Sequence, residues 1–306
     1  MNLREWALPV YTILMQIAAG ILLMLWVIRL QGQSKLGKEK MSQMLDTPIT
    51  IVFFTIVSAI IGAHFHLSKP YLSLLAILNF RTSWLSREII FTILFFLSAG
   101  SLWILHSKRT GHEKLISILG WLSILFGWVN IYCMARIYLL PTQVAWNSPL
   151  TIMYYFGTTL LLGAIATAAI LIMDLRFAEV RISETTEHRV YLVQRSLLWF
   201  SILASMMVVL IFFINFYQIS NLQFAGEPAL TSLNLLLGLY QPLLGLRLGL
   251  AVIGVAWFIY SLIQMRQNRR TAQELLVPIY ASCLLVMIGE ILGRFLFYAT
   301  HVRIGI

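Results

Sequence analysis

The stretch HFHLSKPYLSLLAILNFRTSWLSRE, residues 64–88, joins two apolar runs that are each long enough to cross a lipid bilayer. It begins with two histidines, His64 and His66, and ends with the carboxylate Glu88. Ionisable groups at the edge of hydrocarbon are costly unless they are paired or serve a function. This stretch therefore predicts a membrane protein with a functional site near one surface of the bilayer.

The composition of the 306 residues also favours a membrane protein. Hydrophobic residues make up 59% of the chain and charged residues 11%, and the mean hydropathy is +0.84. A soluble domain carries about 25% charged residues. The net charge of +10 comes from basic residues scattered over short loops, which argues against nucleic-acid binding. Cys133 and Cys283 lie inside apolar runs and form no CxxC motif, so we expect no disulfide framework and no metal site.

Eight apolar runs are long enough to be membrane-spanning helices. We therefore predict an all-α polytopic membrane protein in which residues 1–306 form one domain, a bundle of eight helices. The N-terminal run lacks a basic leader and is too long for a signal peptide, so we expect it to be a retained first helix. The predicted spans are 8–30, 48–66, 88–106, 115–137, 150–173, 196–217, 246–265 and 275–299.

The distribution of basic residues predicts the orientation. The alternate loops on one side of the predicted bundle carry most of the 22 Lys and Arg, which is typical of cytoplasmic loops. We therefore expect this chain in the inner membrane of a bacterium, with both termini periplasmic. The outer connections 67–87, 138–149 and 218–245 are long and semi-apolar, and runs such as YLSLLAILNF look like helices that lie in the interface.

Seven titratable groups lie at the outer ends of the predicted helices or, for Glu290, about nine residues (roughly 13 Å) inside one. They are Glu88, Glu290, His64, His66, Arg136, Arg294 and His301. Each also has a structural interpretation: Glu88 complements a helix dipole in a first turn capped by Ser86, and Glu290 neutralises Arg294 at i, i+4. The structural interpretation of His66 is a polar anchor at the membrane interface. Because His64 and His66 are two residues apart, their rings point to different sides of a helix.

A histidine and a carboxylate at one depth suit the oxidation of a quinol. Each can accept a hydrogen bond from one quinol hydroxyl and then take its proton. A haem acceptor requires two histidines on facing helices at one depth, and the six histidines offer one poor outer pair, so no haem is expected. The electrons would then leave for a cluster in a separate protein docked on the outer face.

Four short motifs closely resemble those of the membrane-anchor subunit of dimethyl sulfoxide reductase, the DmsC family. They are HLSKP at 66–70, SWLSREI at 83–89, MARIY at 134–138 and GEILGR at 289–294, the last followed by Phe297, Tyr298 and His301. Their order and spacing, and the plan of eight spans with both termini outside, resemble the family over the whole length. One departure is Ser68, where the family usually has a glycine, which leaves the turn beyond His66 and the pose of the quinol open.

The resemblance implies a heterotrimer in anaerobic respiration. This chain would hold a four-cluster ferredoxin-like iron–sulfur subunit and a catalytic subunit with a molybdenum bis-pterin cofactor to the membrane. It also implies that this chain oxidises menaquinol without haem, with His66 and Glu88 at the quinol. Arg136, Glu290 and Arg294 would shape the site or relay protons outward.

Two other functions remain compatible with the sequence. A solute transporter also carries buried acids, although its site lies near the midplane and its halves are often inverted repeats, which are not evident in this sequence. A purely structural anchor would have its quinol site elsewhere in the complex. The terminal acceptor, whether a sulfoxide, an N-oxide, selenate or another oxo-anion, depends on the catalytic subunit.

Overall fold

The fold is built from long helices joined by short connections. The computed structural model describes residues 3–66, 70–108, 111–179, 185–267, 272–300 and 302. These residues form α-helices, a 3-10 helix at Pro70–Asn79 and a π-helical turn at Leu235–Leu239. The α-helices are α1 Leu3–Leu36, α2 Lys38–His66, α3 Trp84–Ser107, α4 Glu113–Ile137, α5 Pro149–Glu179, α6 Thr185–Leu222, α7 Glu227–Asn234, α8 Gln241–Arg266 and α9 Ala272–Ala299.

All of these helices except the short α7 are long and apolar enough to cross a membrane, which confirms the eight predicted spans and the all-α class. The orientation of the termini stays a prediction. The eight spans are Ala7–Gln33, Lys38–His64, Trp84–Ser107, Glu113–Ile137, Pro149–Leu175, Arg189–Leu222, Gln241–Arg266 and Glu274–Ala299.

Several helices begin before the predicted spans. Helix α2 starts at Lys38, ten residues before its predicted span, because Met41, Met44 and Leu45 are buried at helical spacing in an otherwise polar segment. Helix α8 starts at Gln241 rather than at 246, so Arg247 lies inside a helix instead of at its end. The outer run 70–79 is helical as expected, but it forms a 3-10 helix.

Helices α1 and α5 form the centre of the bundle. In each of them more than 70% of the most apolar window is buried, against 33% to 44% in the other spans. Helix α1 packs on α2, α4 and α5, while α5 packs on α1, α6 and α9. The bundle thus has two groups of four spanning helices, α1–α4 and α5, α6, α8 and α9, which meet along α1 and α5.

Two glycines allow α1 and α5 to touch backbone to backbone. A Cβ atom on Gly20 of α1 would lie 2.3 Å from the carbonyl oxygen of Thr159 and 2.7 Å from Cα of Gly163 on α5. Small residues at helix crossings permit this close approach, which favours association in lipid through van der Waals contact. The crossing therefore fixes the relative position of the two groups of helices.

Candidate functional site

Glu88 lies one turn inside α3 rather than at its start. The helix begins at Trp84, and its cap is Ser83, whose side chain accepts a hydrogen bond from the backbone N–H of Ser86 at 3.3 Å. The interpretation of Ser86 as the cap, with Glu88 in the first turn, was therefore wrong. Ser86 instead donates its hydroxyl proton to the carbonyl oxygen of Ala76, which ties α3 to the 3-10 helix.

The carboxylate of Glu88 is buried within the first group of helices. The side chain of Glu88 is 6% exposed, and it interacts with the hydroxyl of Tyr11 on α1. The Tyr11 hydroxyl lies 2.9 Å from Oγ1 of Thr92, which donates to Oδ1 of Asn130 at 3.2 Å. We call these four residues the Glu88 cluster. None of the described cations forms an ion pair with Glu88, so its partners are neutral.

Two arginines stack on Trp84 at the outer end of α3. The Cζ atoms of Arg87 and Arg136 lie 4.2 Å and 4.7 Å from the centre of the Trp84 indole ring. Arg87 also donates to the carbonyl oxygens of Phe80 and Arg81. Arg136 forms no ion pair with a carboxylate of the described chain. Arg136 therefore packs on Trp84 at the outer end of α3 and does not balance the charge of Glu88.

Of the two histidines on α2, the structure describes the side chain of His64 but not that of His66. His64 is exposed, and its Nδ1 donates to the carbonyl oxygen of Ile60 in its own helix at 2.7 Å. His66 is the last residue of α2, and its side chain lies outside the described part of the structure. His301 and Ser68 also lie outside the described residues. A joint role of His66 and Glu88 stays a prediction.

Glu290 and Arg294 are buried on α9, but they do not pair with each other. Oε2 of Glu290 accepts a hydrogen bond from the hydroxyl of Tyr154 on α5 at 3.2 Å. Nη2 of Arg294 donates to Oε1 of Gln16 on α1 at 2.7 Å. The amide of Gln16 donates in turn to the carbonyl oxygen of Tyr155 at 2.7 Å. Both charged side chains therefore connect α9 to other helices.

Arg247 of α8 is the second buried guanidinium of this region. Its Nη1 donates to Oδ1 of Asn215 and its Nη2 to the hydroxyl of Tyr154, both at 3.0 Å. Gly293 leaves room for it, because a Cβ atom there would lie 2.3 Å from Nε of Arg247. The Tyr154 hydroxyl thus joins Arg247 to Glu290. We call Gln16, Tyr154, Arg247, Glu290 and Arg294 the arginine network.

Three buried tyrosines connect the Glu88 cluster to the arginine network. The hydroxyls of Tyr138 and Tyr298 lie 2.7 Å apart, and Cζ of Arg294 lies 3.8 Å from the ring centre of Tyr155. Glu88 and Arg294 both lie within electrostatic range of these three tyrosines. We call these buried polar groups, from Glu88 in the first group of helices to Arg247 in the second, the polar belt.

Several polar atoms of this belt have no partner among the described residues. They include Oε1 of Glu290, Nε and Nη1 of Arg294, and Nδ2 of Asn130. Buried polar atoms are nearly always hydrogen-bonded, either to protein or to ordered water. We therefore expect water or ligand atoms along the belt, which suits a site where protons are exchanged.

The sequence identified the charged residues of α9 and Glu88, but it missed most of their partners. Tyr11, Gln16 and Tyr154 are neutral residues in apolar runs, where such residues usually only pack. Arg247 was counted as a residue at a helix end because the seventh predicted span began at 246. An arginine inside a candidate span is the signal that could have identified it.

Comparison with known proteins gives a match over the whole length. The family model for the DMSO reductase anchor subunit (DmsC) matches residues 1–300. A similar protein is the anaerobic dimethyl sulfoxide reductase chain YnfH of Escherichia coli (strain K12), which is 24% identical over 306 residues. The aligned region covers 99% of this chain and 96% of that protein. Both matches include all eight spans and every residue of the polar belt.

Proposed function

This chain belongs to the family of DMSO reductase anchor subunits (DmsC), and from that premise we propose that it oxidises a membrane quinol beside Glu88. The family and the eight apolar helices make it a multi-pass membrane anchor of a DMSO reductase-like complex. The proposal adds that the electrons pass to a docked iron–sulfur subunit. The family favours this role over the solute transporter that the sequence left open.

Glu88 carries the proposal, because it is a buried carboxylate that forms no ion pair with any described cation. Oxidation of a quinol to a quinone releases two electrons and two protons. In our proposal Glu88 accepts a hydrogen bond from one hydroxyl of the quinol and takes its proton, and His66 does the same at the other hydroxyl. The apolar helix faces at this depth suit the quinol ring and its isoprenoid tail.

The other residues of the belt support this reaction from further away. Arg294 and Glu290 would hold water along the belt, so that protons from Glu88 leave toward the outer surface. Arg136 would brace Trp84 at the rim. In this proposal neither arginine touches the quinol, and both act by shaping the site.

The partners follow from the family and are part of the proposal. The electrons would enter a four-cluster ferredoxin-like subunit on the outer face and continue to a catalytic subunit with a molybdenum bis-pterin cofactor. The quinol would be menaquinol, and the membrane the inner membrane of a bacterium. Protons released outside and consumed outside by sulfoxide reduction would make the reaction electrically neutral.

The substitution Glu88→Gln tests the proposal in the assembled complex. It keeps the size and hydrogen-bonding capacity of the side chain but removes the proton acceptor. A positioned general base contributes about 100-fold or more, so quinol-dependent sulfoxide reduction is expected to fall by about that factor. Reduction driven by a soluble dye that feeds the catalytic subunit directly is expected to stay unchanged.

Glu227→Gln is the matched control, because Glu227 is an exposed carboxylate in the first turn of α7. It is expected to leave both activities unchanged. An assembled Glu88→Gln complex with full quinol-dependent activity would contradict the proposal. Unchanged binding of a quinol analogue by that variant would place the quinol site elsewhere and leave this chain as a structural anchor.

A further inference from the structure

A groove opens between α6 and α8 at the end of the bundle opposite to the polar belt. Its volume is about 340 Å³. Large apolar side chains beside it, such as Trp199 and Ile263, are exposed on the surface that faces lipid. The groove is therefore a feature of the lipid-facing surface rather than of the core. It is lined by Tyr191, Gln194, Arg195 and Leu198 of α6 and by Leu262, Met265 and Arg266 of α8.

Two arginines from different helices give the groove an unbalanced positive charge. Arg195 and Arg266 are both exposed, and its lining contains no carboxylate. Neither guanidinium forms an ion pair with a carboxylate in the ranges that the structure describes. Asp174 and Arg189 form an ion pair with each other. The groove therefore attracts an anion.

The depth of the two arginines matches the lipid headgroups. Arg266 is the last residue of its spanning segment, and Arg195 lies six residues, or about 9 Å, inside the end of the segment that begins at Arg189. Long arginine side chains extend toward the interface while their stems lie along apolar surface. The apolar residues Leu198 and Leu262 lie about one turn deeper, toward the hydrocarbon.

We propose that this groove binds an anionic phospholipid. Its phosphate would bridge Arg195 and Arg266, and an acyl chain would lie along Leu198 and Leu262. Basic pockets between spanning helices on the cytoplasmic side are suited to anionic headgroups. The loops at this end of the bundle carry most of the basic residues of the chain. Because α6 packs on α8 less extensively than α9 does, a lipid in the groove would brace these two helices.

The test is native mass spectrometry of the purified full-length chain with equal amounts of phosphatidylglycerol and phosphatidylcholine. Each of the two basic residues near the headgroups contributes about fivefold in affinity, so the wild-type chain is expected to retain phosphatidylglycerol about 25-fold better than phosphatidylcholine. The double variant Arg195→Gln/Arg266→Gln is expected to lose this preference. Equal retention of the two lipids by the wild-type chain would overturn the proposal.

The matched control is Lys108→Gln/Lys114→Gln, which removes two exposed charges from the same end of the bundle outside the groove. It is expected to keep the preference, and an equal loss in this control would show a diffuse surface attraction instead of a site. Leu198→Trp fills the groove without a change of charge and is expected to reduce retention of phosphatidylglycerol. An unchanged retention in Leu198→Trp would argue against the groove.

A competition experiment distinguishes a bound lipid from a free phosphate compound. Glycerol phosphate at millimolar concentration is expected not to displace the lipid, because it lacks the acyl chains. Its displacement of phosphatidylglycerol would identify a free-phosphate site and overturn the proposal. If the double glutamine variant does not fold, Arg266→Gln alone replaces it and is expected to lower the preference for phosphatidylglycerol about fivefold.

Discussion

The hydroxyl of Tyr154 occupies a position where a single oxygen atom serves two buried charges. It donates to Glu290 at 3.2 Å and accepts from Arg247 at 3.0 Å. The guanidinium of Arg247 and the carboxylate of Glu290 are therefore bridged by a neutral hydroxyl group. The arrangement explains why Glu290 and Arg294 on one helix do not pair: each is connected to a residue of another helix.

We predict that Tyr154→Phe destabilises the protein although it removes a single atom. The substitution leaves an oxygen of Glu290 and an N–H of Arg247 buried without a partner, and each such group costs about 1–3 kcal/mol. The free energy of unfolding in mild detergent is therefore expected to fall by about 2–6 kcal/mol. Tyr280→Phe on the exposed side of α9 is the control and is expected to change it by less than about 0.5 kcal/mol. Equal stability of the two variants would contradict the prediction.

At the scale of residues, the sequence predicted charges better than their partners. Glu88, Glu290 and Arg294 stand out because an ionised group in an apolar run requires a reason. Gln16 and Tyr154 do not, because a neutral polar side chain costs much less to bury in an apolar run than a charged one. Only the packing of α1, α5 and α9 brings these residues into one network, and that packing is not visible in a pattern of apolar residues.

At the scale of elements, the number of spans was predictable but their ends were not. Hydropathy detects the part of a helix that lies in hydrocarbon, so the eight runs were found. It does not detect polar turns that continue a helix, such as residues 38–47 of α2, which are buried on one side only. The same limitation placed Arg247 at the end of a helix and the start of α3 at Glu88 instead of Trp84.

We predict that Gly20→Ala separates α1 from α5 and destabilises the bundle. The new Cβ atom would lie 2.3 Å from a backbone oxygen, which cannot move without shifting the helix. Overpacking of this kind costs about 1–3 kcal/mol, to be measured as the change in the free energy of unfolding in detergent. Gly249→Ala in α8 is the control, because a Cβ atom there meets nothing within 4 Å. The control is expected to be neutral or slightly stabilising, since alanine favours a helix more than glycine does. A neutral Gly20→Ala would show that the crossing is not tight.

At the scale of the whole molecule, the two ends of the bundle are held by different chemistry. At the end with the basic loops, an ion pair and a histidine–carboxylate contact join neighbouring helices. Arg29 of α1 binds Glu113 of α4 at 2.8 Å, and His106 of α3 lies 2.9 Å from Asp46 of α2. At the other end, the polar belt uses neutral hydroxyl and amide groups between its charges. The contacts at the basic end hold neighbouring helices together, whereas the polar belt holds the buried residues that we propose take part in quinol oxidation.

The last prediction concerns which end faces the periplasm. With eight spans, the start of α1 at Leu3 and the end of α9 at Ala299 lie at the same end of the bundle as Glu88 and Arg247. We expect that end to be periplasmic, because the basic loops are at the other end. A phosphatase that folds only in the periplasm is expected to be active when fused after Ile306 and inactive when fused after Lys108, which follows α3 at the basic end. The reverse pattern would place Glu88 near the cytoplasm. Quinol oxidation would then release its protons inside, and the electrically neutral reaction proposed for this chain would be excluded.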